Sequence, residues 1–331
     1  LPFVNQQLLA PARARIVSVR RFDRGFDPDC ARSRAAPFPP EEWMIPPPFE
    51  YHAPRSLPDA LKLLATLGDD AKVLAGGHSL LPMMKLRMAQ PAHLIDINRV
   101  PEMRGIREVA GSIRIGAMTA ENELIASTLL QQKVPLLVEA ARQIADPQVR
   151  NRGTIGGDIA HGDPANDHPA IALALGATFV VAGPGGEREI PADEFFKGLF
   201  ETALAPGELL KEIVVVPFAA STGSAYCKLK RKTGDWAAAA TAVVLRLAGN
   251  QVAEVRIALT NAGPTALRAT AAEDALRGRA VDAATIDAAA AAVAAVCDPA
   301  ADLRGDVKYK VAMSVEMTRR AIRLAVDRAR S

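Results

Sequence analysis

Cysteine is nearly missing from this chain. The three present, Cys30, Cys227 and Cys297, stand far apart, with no Cys-x-x-Cys pair and no Cys/His cluster at metal-ligand spacing. The sequence therefore predicts no zinc site and no iron–sulfur centre of its own, and the odd, sparse count fits a reducing compartment better than a disulfide framework. No apolar run reaches the roughly 18 residues that a membrane-spanning helix needs. An excess of charge is lacking too: the formal net charge is +3 over 331 residues and the Lys and Arg residues are scattered, which gives nucleic-acid binding no support. Neither Gly-x-Gly-x-x-Gly nor a Gly-x-x-x-x-Gly-Lys-Ser/Thr loop occurs, so the two commonest nucleotide sites are excluded. Nor is there a Ser-His-Asp nucleophile arrangement, a partnered pair of carboxylates, or an internal repeat.

What is present is ordinary for a globular protein, with 49% hydrophobic and 23% charged residues, and the length allows two or three domains with real cores. Ser56-Leu57-Pro58-Asp59 is a helix-start signal, and Ala71 to Ala75 reads as a buried strand. Further strands are expected at Leu94–Asn98, Ser112–Gly116, Thr178–Val181 and Glu212–Val216, with helices at Glu121–Leu130, Pro135–Ile144 and Ala170–Leu175. After Pro217 the character shifts: Ala225–Lys230, Ala238–Leu247 and Glu254–Leu259 predict an antiparallel sheet. Ala-rich helices over 266–276, 284–296 and 309–328 follow it. Residues 1–43 differ from all of this, with seven Arg, no Lys and no periodic apolar face, and they are expected to be a non-native or disordered extension.

Two double-glycine segments about 80 residues apart carry the chemistry: Ala75-Gly76-Gly77-His78-Ser79-Leu80 and Thr154-Ile155-Gly156-Gly157-Asp158. Each is expected to follow a strand. Glycine lets the main chain approach a ligand where a Cβ would collide, so consecutive amides can converge on one anion, the requirement of a pyrophosphate cradle. His78 either donates to a phosphate oxygen or merely occupies the turn.

The runs Val73–Pro82 and Ala145–Gly157 resemble the FAD-binding subunits of the molybdenum hydroxylase (xanthine dehydrogenase) family, most closely the carbon monoxide dehydrogenase branch, and the likeness extends from about Met44 to the C-terminus. The resemblance implies an α+β fold. A non-Rossmann, two-subdomain FAD-binding domain of the p-cresol methylhydroxylase type would span 44–219, with subdomains of about 44–98 and 99–219. A C-terminal α/β domain with a small antiparallel sheet and helices would span 220–331. It implies FAD as cofactor, held by Ala75, Gly76, Gly77, His78, Ser79 and Leu80, by Thr154, Gly156, Gly157 and Asp158 with the amides of 155–157, and by Asp167, Leu210, Lys228 and Trp236. Asp158 stands where the family usually has Asn, and a carboxylate there must point at a ribose hydroxyl or a partner amide. Asp167 reads either as a cofactor contact or as a helix N-cap before Pro169. Lys228 would sit at the flavin's polar edge, and Trp236 would replace a family Tyr beside the ring.

With no substrate-activating group and no metal ligands of its own, the chain is expected to transfer electrons. The implied partners are a molybdopterin-containing large subunit, a small subunit with [2Fe–2S] clusters and a quinone-type acceptor, in a dimer of heterotrimers. Its expected location is the cytoplasm, peripheral at the inner membrane face or free. A flavin subunit for an aldehyde or N-heterocycle hydroxylase, a free-standing oxidase with flavin bonded to His78, and a non-catalytic assembly subunit are the alternatives.

Overall fold

The computed structural model describes residues 45–331. The expected 1–43 extension, the start at Met44 and Cys30 lie outside the described residues.

The first layer is a parallel three-stranded sheet in the order β1-β3-β2, made of β1 (Glu50–His52), β2 (Ala71–Leu74) and β3 (His93–Asp96). The helix Leu57–Leu67 makes the first crossover. Ser56 caps it by accepting from the Asp59 amide at 3.2 Å, and the helix buries Leu57, Ala60 and Leu64. The short helix Leu80–Lys85 follows β2.

The second sheet is antiparallel and five-stranded, in the order β4-β5-β10-β6-β7. Its strands are β4 (Ile106–Val109), β5 (Ser112–Gly116), β6 (Thr178–Gly183), β7 (Gly186–Pro191) and β10 (Leu209–Val215). A small hairpin of β8 (Phe196–Gly198) and β9 (Glu201–Thr202) lies between β7 and β10 in the chain. The helix expected over 121–130 is two helices, Glu121–Ala126 and Thr128–Lys133. Ser127 breaks it because its extended backbone lets its Oγ cap the second helix at the Leu130 amide, 3.3 Å away.

The third sheet runs β11 (Thr222–Leu229), β12 (Ala239–Ala248), β13 (Gln251–Thr260), β14 (Leu267–Arg268), all antiparallel. Pairing of β14 delays the next helix, expected from residue 266, until Thr270. Strand alternation divides the sheet's faces. Val243, Leu245, Ile257 and Leu259 pack with the last three α-helices, including the long Val307–Arg330. Tyr226, Ala240, Ala242 and Ala258 join the core built on the first two sheets. These alanines let the helix Asp167–Leu175, buried from Asp167 to Ala174, come close. The expected α+β architecture is present.

Candidate functional site

The first glycine segment leaves the carboxyl end of β2. Asn98, just beyond β3, pins it: its Nδ2 donates to the Ala75 carbonyl at 2.8 Å and to Asp96 Oδ1 at 2.7 Å. Gly77 has φ +80°, a left-handed conformation that a side chain would strain. Among the described residues, the five consecutive amides of Gly76, Gly77, His78, Ser79 and Leu80 donate to no protein acceptor. Consecutive amides left free in this way at a strand end can converge on one anion. His78 and Ser79 are exposed, and Ala75 and Leu80 are half-buried.

The second segment is different. It follows the short helix Pro147–Arg150, not a strand, and its glycines form the first turn of the helix Ile155–His161. Its amides are already spent: Ile155 N donates to Thr119 O at 3.1 Å, Gly156 N to Ala117 O at 2.8 Å, and Gly157 N to Thr154 Oγ1 at 3.2 Å. The expected second half of an amide cradle is therefore not met. The glycines serve packing instead, since a Cβ on Gly156 would overlap Ala117. What this segment offers is the Thr154 hydroxyl, which still has its own proton to donate, and a wall. A Cβ on Gly157 would stand 3.4 Å from that of Ala75, and one on Gly76 would overlap the Arg152 carbonyl, so the two glycine segments touch. Beside them opens a cleft of about 220 Å³ lined in part by Asn98, Ala120, Asn151, Arg152 and Thr154.

Behind the second segment lies a buried polar network. Asp158 Oδ2 accepts from His168 N at 3.1 Å. Burial, reinforced by the Glu121 and Asp167 charges, pushes its carboxyl up to about 7 despite the opposing pull of His168. His168 Nε2 meets Glu121 at 2.9 Å with both side chains almost fully buried. Burial favours the neutral ring, but the surrounding carboxyl groups, Glu121 first and then Asp158 and Asp167, together raise His168 to about 9. Among the described residues, His168 Nδ1 and Arg150 Nε are buried and find no hydrogen-bond partner.

Asp167 is neither a cap nor a free contact. The cap position belongs to Asn166, and the Asp167 carboxylate is taken by the Tyr226 hydroxyl on one oxygen and by Lys228 Nζ at 2.6 Å on the other. Burial and the Asp167 charge hold the Tyr226 hydroxyl well above its usual range. Lys228, expected at a ring edge, is thus neutralised within the protein, with Gln143 O 3.4 Å away. Lys230, just past the end of β11, donates to that carbonyl at 2.9 Å.

Trp236 stands in the β11–β12 loop and is 49% exposed. Its indole N–H donates to Asn166 Oδ1 at 3.3 Å, Arg304 lies over its ring at 5.3 Å, and Arg304 also bonds Asp235 at 2.9 Å. Asn166 Nδ2 in turn donates to Asp158 O at 3.1 Å. Asn166 in this way joins Trp236 to Asp158, while Asp167 joins Lys228 to Tyr226. Leu210 is set apart, buried in the core on β10 opposite Val181.

Sequence reasoning missed Asn98, Glu121, Asn166, His168, Tyr226 and Arg304 as site residues. The alternation of Tyr226 with Lys228 on one face of β11 was a usable signal for Tyr226. Glu121 carried none, because only the fold brings it to His168, 47 residues away.

Residues 47–219 match the family described as the FAD binding domain in molybdopterin dehydrogenase, and residues 224–325 the CO dehydrogenase flavoprotein C-terminal domain. The chain is 61% identical over 282 residues to the carbon monoxide dehydrogenase medium chain of Hydrogenophaga pseudoflava, covering 85% of this chain and 98% of that one. It is 46% identical over 288 residues to the medium chain of Afipia carboxidovorans, covering 87% and 100%. A solved structure of the Hydrogenophaga pseudoflava enzyme lacking the Mo-pyranopterin moiety of its cofactor superimposes with a TM-score of 0.85 at 62% identity, over 86% of this chain and 99% of that one.

Proposed function

Because the chain belongs to the flavoprotein family of the molybdopterin dehydrogenases, an FAD-binding oxidoreductase family, we propose that it is the electron-transfer subunit of a carbon monoxide-oxidising complex. Two relatives at 61% and 46% identity carry that activity in their names. In this reading a molybdenum-bearing large subunit converts carbon monoxide and water to carbon dioxide, and a small subunit with [2Fe–2S] clusters relays the electrons. This chain passes them to a quinone-type acceptor. The assembly is a dimer of heterotrimers in the cytoplasm, peripheral at the inner membrane face. No helix among the described residues is long and apolar enough to cross a membrane.

The observation that carries the reading is the row of amides at residues 76–80 that meet no acceptor among the described residues, with Asn98 pinning the segment at Ala75. It suits a diphosphate, which asks for several donors and no bulk. Bound FAD supplies an electron acceptor that can discharge at a different place from where it was charged. The chain's own residues hold and insulate it. Thr154 contributes a hydroxyl, and Trp236 presents an aromatic face fixed by Asn166 and Arg304. Asp167, Tyr226 and Lys228 are positioning residues that lock β11 to the helix Asp167–Leu175 behind it.

Purification of the chain with its partners tests this. About one FAD per chain should be released intact by acid or heat, and carbon monoxide should bleach its absorbance in the complex. Flavin left on the denatured polypeptide would point to the oxidase reading through His78, and no bleaching with carbon monoxide would remove the assigned substrate.

A further inference from the structure

At the N-terminal end of β3, the opposite end from Asn98, three side chains that could ligate a metal meet on one sheet face. Glu50 and His52 alternate with Tyr51 along β1, so they share a face, while the Tyr51 hydroxyl goes to Asp96. His93 is the register partner of Glu50 across the parallel pair. His52 Nε2 lies 3.2 Å from His93 Nδ1, and Glu50 Oε2 lies 3.4 Å from His93 Nδ1 and 4.0 Å from His52 Nε2.

We propose that Glu50, His52 and His93 form a binding site for a divalent transition-metal ion of the zinc class, clamping the edge strand β1 to β3. The circle through three points with those separations has a radius of about 2.1 Å, the length of a zinc–nitrogen or zinc–oxygen bond. One ion can therefore reach all three atoms without backbone movement, and water completes the shell from the open side. Two imidazoles and one carboxylate are the donor set of zinc, cobalt, nickel or copper; magnesium and calcium prefer oxygen alone. The two rings stand 21–25% exposed and Glu50 73%, so an ion has an entry path. Only three residues long, β1 has little ladder of its own, and a bond from His52 to His93 closes a long loop, which is where a cross-link gains most.

The test uses the untagged full-length chain, stripped with chelator and titrated calorimetrically with zinc chloride, with cobalt(II) as a visible probe. One equivalent of zinc should bind, cobalt should give the absorption of a low-coordinate N/O site, and zinc should raise the melting temperature. His52→Gln and His93→Gln should each weaken zinc binding at least tenfold and abolish the melting shift. Glu50→Gln, at an exposed position, should weaken it by a smaller factor. Magnesium should do nothing. Failure of the wild-type chain to take up zinc, or equal uptake by the wild type and all three variants, would overturn the proposal.

Discussion

Asp167 and Lys228 sit 2.6 Å apart with side chains only 6% and 1% exposed, so water does not screen their attraction and the loss of one strands the other's charge. Lys228→Met should therefore cost about 3–5 kcal/mol in urea unfolding of the FAD-free chain. Adding Asp167→Asn should return much of that, and additive losses would show that the pair is not coupled. Acid–base behaviour follows from the neighbouring network. His168, raised to about 9 from 6.5, keeps a proton that the unfolded chain gives up; its contribution is complete below about pH 6.5 and is lost as pH rises through about 9. Asp158, raised from 3.8 to about 7, stays protonated where the unfolded chain ionises, so its cost grows as pH rises to about 7. Both act in one direction: the urea midpoint should fall from pH 6 to 9, with a shallower slope in His168→Gln. An unchanged slope would place the titration elsewhere. Sequence legibility at this scale was uneven. Gly77, Thr154 and Trp236 announced themselves by type and context, whereas His52 and His93 stand 41 residues apart and meet only through strand pairing.

At the scale of elements, the two glycine segments work by contact as much as by openness. A Cβ on Gly76 would press into the Arg152 carbonyl and part the segments. Gly76→Ala should cost about 1–3 kcal/mol, the usual penalty of overpacking, and lower FAD content with it. Ser79→Ala, at an exposed position three residues further along the amide row, should leave stability within about 0.5 kcal/mol. Full FAD content in Gly76→Ala would mean that the row is not the cradle. The strand Ala71–Leu74 and the Ser56 cap were legible because burial and capping each leave a local pattern. The second segment was not, because a helix capped by Thr154 and a loop look alike when its first turn is Ile-Gly-Gly. β7 escaped for another reason: it is exposed along nearly its whole length and shows no apolar alternation.

Across the whole molecule, the third sheet belongs to two cores, and the helix Asp167–Leu175 is the joint between them. Trp236, Asn166, Asp167 and Lys228 all cluster at the N-terminal end of that helix, and Asn166 ties the aromatic loop of the C-terminal sheet to the Asp158 carbonyl of the second glycine segment. The family likeness was readable because it rests on short runs whose residues are fixed by close approach, while the paired network behind them needed the fold. In the proposed role, this chain carries electrons away from chemistry performed in its partners. Stopped-flow reduction of the reconstituted complex by carbon monoxide, followed separately at the flavin and iron–sulfur bands, tests it in Trp236→Ala. Cluster reduction should keep its wild-type rate, while flavin reduction or its reoxidation by the acceptor slows at least tenfold. Equal slowing at both bands, with assembly and cofactor content intact, would contradict the account.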